Sequence, residues 1–253
     1  MDVEGKIVII TGGASGLGRA TASKLAREGA RIAVVDLNEA AVAAVAKQLN
    51  GVSVTCDVAD GPSSEAGFRH IVAQLGRPHV LVNCAGIAPG ARIVGRDGPG
   101  SLEEFERVVR VNLTGTFNWM RLAAHAMKDN DPDADGQRGV IVNTASVAAY
   151  EGQIGQAAYA AAKGGVASLT LPAARELAQF GIRVAAIAPG LFGTPMVEAM
   201  TSEIQNRVIE NIPFPQRFGK PEEYALLASA IISNPMMNGS VHRLDAALRM
   251  QSR

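Results

Sequence analysis

The sequence predicts one α/β domain, a doubly wound parallel sheet of about seven strands with helices on both faces. Three observations predict it. Seven short apolar runs recur along the chain, Ala-rich segments of helical period lie between them, and no internal repeat or low-complexity tract interrupts the alternation. Strand and helix in strict alternation require right-handed crossovers that lay each helix back on a parallel sheet. With 253 residues, 47% of them hydrophobic, the chain can fill one substantial core.

The first run, KIVIIT from Lys6, passes into TGGASGLGRA, which places Gly12, Gly16 and Gly18 at a strand-to-helix turn. Missing side chains there let the backbone approach a pyrophosphate at the N-terminus of the helix LGRATASKLAREG. The spacing is G-x-x-x-G-x-G, and its position after a first strand makes it a phosphate cradle rather than a packing turn. The second run, RIAVVD, ends on Asp36, 18 residues after Gly18. A carboxylate at that point bonds both ribose hydroxyls of an adenosine and repels a 2′-phosphate. Neither Ser15 nor Leu37 is a basic partner for such a phosphate, so NAD is expected over NADP. The competing reading makes Asp36 only the N-cap of the next helix, NEAAVAAVAKQLN. The sheet is therefore expected to be of Rossmann type, with a cofactor half over about 1–138 and a catalytic and substrate half over about 139–253.

The third and fourth strands are expected at VSVTCD and HVLVN. Two polar insertions then exceed the usual connection of about 4–6 residues. IAPGARIVGRDGPGS, from Ile87, follows a strand's C-terminal end, the side where open α/β sheets bind ligands. KDNDPDADGQRG, from Lys128, leads into the fifth strand GVIVNT and is expected on the opposite rim. Next, SVAAYEGQIGQAAYAAAKGG sets Tyr159 and Lys163 four residues apart among alanines and glycines. Residues i and i+4 share one helix face, so the ammonium stands beside the phenol and favours its ionised form. The small neighbours leave room for ligands. The remaining elements are the strands IRVAAIAP and SVHRLD and the helix PEEYALLASAIIS.

Charge and composition exclude several classes. Twenty-four basic and 24 acidic side chains cancel, so there is no nucleic-acid footprint. No apolar run reaches membrane length, and MDVEGKIVIIT enters a strand without the basic region of a signal peptide. A cytoplasmic protein with reduced, buried Cys56 and Cys84 is expected. His70, His79, His125 and His242 lack ligand spacing, so no metal is expected.

With these residues in place, the chain resembles the short-chain dehydrogenase/reductases almost end to end: TGGASGLG, NCAG from Asn83 to Gly86, Asn112, Ser146, YAAAK, and Pro189 with Gly190. The resemblance implies that Tyr159 is the acid/base, that Ser146 donates a hydrogen bond to the substrate oxygen, and that Lys163 lowers the phenol's pKa while holding the nicotinamide ribose. Asn112 would anchor a water relay to Lys163. It further implies cofactor contacts from Gly12, Ser15, Gly16, Leu17 and Gly18, from Asp57 and Val58 at the adenine, and from Asn83, Ala85 and Gly86. Pro189, Gly190, Phe192 and Thr194 would face the nicotinamide side. Asp57 and Thr194 have a second reading as helix or strand caps.

GQRGVIVNTASVAAYEGQIGQAAYAAAKGG, IAPGLFGTPM, NIPFPQRFGKPEEYA and VHRLDAALRM are similar to the type II 3-hydroxyacyl-CoA dehydrogenases, a group spanning 17β-hydroxysteroid and 2-methyl-3-hydroxybutyryl-CoA dehydrogenases. One departure is Ala246, where that group commonly has glycine. The resemblance implies NAD-dependent oxidation of a short or branched (S)-3-hydroxyacyl-CoA. Gln153 is a candidate for orienting the acyl carbonyl, and Arg92 and Arg96 for pairing with CoA phosphates. The rival readings are a 3-oxoacyl-carrier-protein reductase, against which Asp36 counts, a steroid or polyol dehydrogenase, and a scaffold or RNA-processing subunit on the same fold. A homotetramer is expected, because NLTGTFNWMRLAAHAM and AAYAAAKGGVASLTLPAARELAQFG offer more apolar surface than one sheet face covers. Trp119 is placed either at that contact or in the core.

Overall fold

A computed structural model describes residues 1–96, 98–194, 197 and 201–252. Seven parallel strands form one sheet in the order β3-β2-β1-β4-β5-β6-β7. They are β1 (Ile7–Thr11), β2 (Arg31–Asp36), β3 (Val52–Thr55), β4 (Val80–Asn83), β5 (Gly139–Thr144), β6 (Ile182–Pro189) and β7 (Val241–Leu244). The central strands β1, β4, β5 and β6 are buried along their whole length, as continuous apolar runs in a doubly covered sheet must be. All seven strands expected from the sequence are present.

Alternate residues of β1 face opposite sides. Val8 and Ile10 join a core with Leu25, Tyr224 and Ala228, while Ile9 joins a second core with Phe68, Ile71 and Trp119. The first face is covered by α1 (Gly16–Arg27), α2 (Glu39–Gln48) and, after α8 (Ser202–Ile209), by α9 (Pro221–Ser233). The second carries α3 (Gly61–Leu75), α5 (Gly115–Met127) and, after the short α6 (Ala148–Glu151), α7 (Ala157–Leu177). Trp119 is wholly buried and meets Phe68 edge-on at 6.1 Å between ring centroids, so of its two expected places it takes the core.

Between β4 and β5 the chain runs through α4 (Leu102–Val109), a π-helical stretch (Arg110–Thr114) and α5 without a break. The second insertion packs at the N-terminal rim of the sheet, where Asn130 donates to the Pro78 carbonyl and the Arg138 N–H to that of Gly181. The first lies at the other rim and folds on itself, with the Gly100 N–H donating to the Ile93 carbonyl and the Ala91 N–H to that of Gly155. Because β1 is flanked by β2 and β4, the connections leave in opposite directions there and open a crevice at the strands' C-terminal ends.

Candidate active site

That crevice is a cavity of about 750 Å³, walled by the ends of β1, β4, β5 and β6 and by α7. Its cofactor end is made of backbone. Gly12 has φ +64°, and a Cβ on it would lie 2.6 Å from the Ala85 nitrogen. A Cβ on Gly18 would collide with the Gly12 carbonyl. Only glycine lets the turn close so tightly.

The helix behind the turn is left open. Asn38, Asp60 and Ser101 cap α2, α3 and α4 with side-chain hydrogen bonds, whereas Ser15 makes none and α1 has no acidic residue in its first turn. An uncapped N-terminus facing a cavity is suited to an anion. Asp36 borders the same end, its carboxylate accepting from the Ala14 N–H at 3.1 Å and the Asn38 N–H at 3.2 Å. Those two bonds fix it at the mouth of the cradle, and the N-cap of α2 is Asn38 instead. Asp57 likewise caps locally, accepting from the Ala59 N–H at 2.9 Å, and borders the cavity too.

At the other end stand four polar side chains. Asn112 lies in the π-helical stretch and is wholly buried, donating to the Ile87 and Val108 carbonyls at 2.8 and 3.0 Å while accepting from the Ile87 N–H at 3.3 Å. Ser146 follows β5, its Oγ accepts from the Ala148 N–H at 3.1 Å, and its hydroxyl faces the Tyr159 phenol. The Tyr159 phenol is raised above its usual range by burial, opposed by the Ser146 hydroxyl. Lys163 sits 5.8 Å from the centre of the Tyr159 ring and donates to the Thr144 carbonyl at 2.7 Å. Burial brings its ammonium down to about 8. Burial is the larger of the two influences on the Tyr159 phenol and favours its protonated form.

Residues 6–205 match the family described as short chain dehydrogenase. The chain belongs to that family. The 3-hydroxyacyl-CoA dehydrogenase type-2 of Homo sapiens is 50% identical over 253 residues, covering 98% of this chain and 97% of that protein. The protein of the same name from Drosophila melanogaster is 48% identical over 252 residues, covering 98% and 99%. The crystal structure of 3-hydroxyacyl-CoA dehydrogenase type-2 from Mycobacterium avium superposes with a TM-score of 0.94 at 41% identity, covering 99% of this chain and 98% of that one. As a short chain dehydrogenase this protein is an oxidoreductase with a nicotinamide cofactor, and the glycine cradle and open helix end fit a dinucleotide.

The cavity brings together all four tetrad residues with Gly12, Ser15, Gly16, Leu17, Gly18, Asp36, Asp57, Val58, Ala85, Gly86, Pro189, Gly190, Phe192 and Thr194. Asn83 lies elsewhere. Its side chain is buried between strands, accepting from Thr11 Oγ1 at 3.2 Å and donating to Asn143 Oδ1 at 2.9 Å, so it ties the sheet together beneath the cavity. Gln153 is also outside the lining, with its amide donating to the Gln251 carbonyl at 3.0 Å, and Gln156 takes the place on the wall. Arg92 and Arg96 are exposed on the first insertion, outside the cavity. Sequence reading missed Thr144, Arg110 and Met250, which do line it. The signal for Thr144 was its place at the end of a buried strand, whereas Met250 had none, since only tertiary contacts carry the chain end there.

No helix among the described residues is long and apolar enough to cross a membrane. Among the same residues, no three His, Cys, Asp or Glu side chains gather as a metal site.

Proposed function

We propose that this short chain dehydrogenase oxidises short or branched (S)-3-hydroxyacyl-CoA thioesters to 3-ketoacyl-CoA with NAD, as a cytoplasmic homotetramer. One observation carries the reading: Asp36, fixed by two backbone N–H groups, and the tetrad open into the same cavity. The names of the relatives that are about half identical supply the acyl-CoA class. Phe117 and Leu171, exposed on α5 and α7, are consistent with helices that pair between copies. A CoA tail leaving the cavity across the first insertion would meet Arg92 and Arg96.

Each side chain has a definite task. Ser146, whose hydroxyl faces Tyr159, would turn its proton to the substrate oxygen and fix the carbinol against the phenol. Tyr159 receives the hydroxyl proton in oxidation and returns it in reduction. A bound nicotinamide would supply the hydride acceptor and a positive charge that favours the phenolate. Lys163 adds a second positive charge beside the ring and, from the Thr144 carbonyl, reaches toward the ribose. Asn112, held at both ends by Ile87, keeps the wall beside Lys163 rigid: a Cβ on Gly86 would stand 2.5 Å from Asn112 Oδ1 and 3.6 Å from Lys163 Nζ.

A spectrophotometric panel of 3-ketoacyl-CoAs, carrier-protein thioesters and steroids, each with NADH and NADPH, tests the assignment, with Tyr159→Phe as the inactive control. Preference for short acyl-CoA with NADH is expected. Preference for a carrier-protein thioester with NADPH would replace it with the biosynthetic reductase.

A further inference from the structure

Behind the cavity wall lies a tyrosine that the chemistry above does not use. Tyr224, on α9, is wholly buried, yet it touches the C-terminal ends of three strands or the loops that follow them. Its ring meets Phe192 edge-on at 6.5 Å, its hydroxyl lies 2.7 Å from Thr144 Oγ1, and the Cys84 thiol approaches that hydroxyl at 3.8 Å. Cys84, Thr144 and Phe192 all line the cavity, while Tyr224 does not.

The direction of the hydrogen bonds follows from counting protons. Thr144 has one hydroxyl proton, and its Oγ1 stands 2.6 Å from the Asn83 carbonyl, the shorter of its acceptor contacts. The 2.7 Å contact with Tyr224 is then made by the phenol donating to Thr144 Oγ1. Burial holds the Tyr224 phenol far above its usual range, so it remains a donor at every pH the protein meets. Thr144 is thus gripped from both sides, and its backbone carbonyl accepts from the Lys163 ammonium at 2.7 Å.

We propose that Tyr224 is a positioning residue for the reaction: acting through Thr144, it fixes the carbonyl that aims Lys163 at the cofactor and at Tyr159. The inference rests on the role given to Lys163 above. Three residues from α9, β5 and α7 form the chain Tyr224 to Thr144 to Lys163, and a buried polar chain of this kind is rigid only while every member is satisfied.

Tyr224→Phe removes the hydroxyl and keeps the ring against Phe192. Its kcat is expected to fall about tenfold with the KM for the acyl substrate unchanged, the loss of one well-placed hydrogen bond expressed only at the reacting end. Thr144→Val should lose a similar factor, Thr144→Ser should retain near-parental activity, and the double variant Tyr224→Phe, Thr144→Val should be no slower than Thr144→Val alone. A merely structural tyrosine gives a different pattern, with losses that multiply in the double variant or track a lowered Tm while kcat of the folded fraction is unchanged. Either result overturns the proposal. Lys163→Ala at the parental rate would overturn it too, by removing the role on which it rests, and is distinguished by leaving Tyr224→Phe without a target.

Discussion

The two ends of the cavity are made of different material. At the cofactor end, selectivity and shape come from backbone: glycines whose Cβ positions are already occupied, an uncapped helix N-terminus and a carboxylate held by two N–H groups. At the substrate end they come from side chains. Arg243 pairs with Glu151 at 2.9 Å and with Asp245 at 2.6 Å, Arg249 joins both carboxylates, and Glu151 also accepts from the Met250 N–H at 3.1 Å. These bonds draw the C-terminal segment across the entry to α7 and bring Met250 to the wall. A backbone-built end has almost no freedom to vary, while a side-chain-built end can be retuned without disturbing the chemistry.

The contrast can be broken at its strongest point. Gly18→Ala places a methyl group in the Gly12 carbonyl and should abolish dinucleotide binding while lowering stability by ~3 kcal/mol or more, read by NADH fluorescence titration and thermal melting. Binding at near-parental affinity would show that the cradle adjusts as freely as the substrate end.

Lys163 belongs to the shared middle, and its effect is read through pH. An unfolded lysine keeps its proton to 10.5, the folded one only to about 8, so the folded state bears the cost of burying the ammonium below pH 8 and sheds it as pH rises to 10.5. Relative to Lys163→Met, the parent should therefore gain about 3 kcal/mol between pH 8 and 10.5, measured by denaturant unfolding at both ends of that window. A difference that stays flat with pH would mean that the ammonium is solvated.

Asp36→Ala combined with Leu37→Arg sharpens the comparison, since it alters side chains at the backbone-built cofactor end. The ratio of kcat/KM for NADP to that for NAD should rise at least about tenfold, the worth of one charge-assisted hydrogen bond. An unaltered ratio would move the adenosine elsewhere. The smallest effect lies at the substrate end, where Ala246 and Ala247 adopt left-handed backbone, with φ +51° and +61°. Ala246→Gly should stabilise by about 1 kcal/mol and raise Tm by about 2–4 °C without changing kcat.

What was legible in the sequence follows the same division. The alternation of strands and helices, the cradle and Asp36 could be read because backbone demands leave fixed residue types at fixed spacing. Tyr159 and Lys163 stood out by their i, i+4 spacing among small residues, whereas Ser146 and Asn112 were reached only through the family resemblance. Gln153 and Asn83 show where reading stopped. Both are polar residues next to motifs, and nothing in sequence distinguishes an amide facing a ligand from one spent on Gln251 or on Asn143. Burial of the Tyr159 phenol, which raises it above its usual range, is a further property that no spacing rule reports.

The π-helical stretch between α4 and α5 gives this rod two angular phases. One residue more than an α-helical turn requires is accommodated over Arg110–Thr114, and one residue is worth about 100° of rotation. The apolar stripe of α5 can therefore be set for the sheet while Asn112 is set for Ile87, two alignments that a single regular helix would have to compromise. Such a slip arises in one step, by the insertion of a single codon, and is lost as easily. Deleting one residue here would leave a regular helix and rotate Asn112 away from the Ile87 backbone that it bonds.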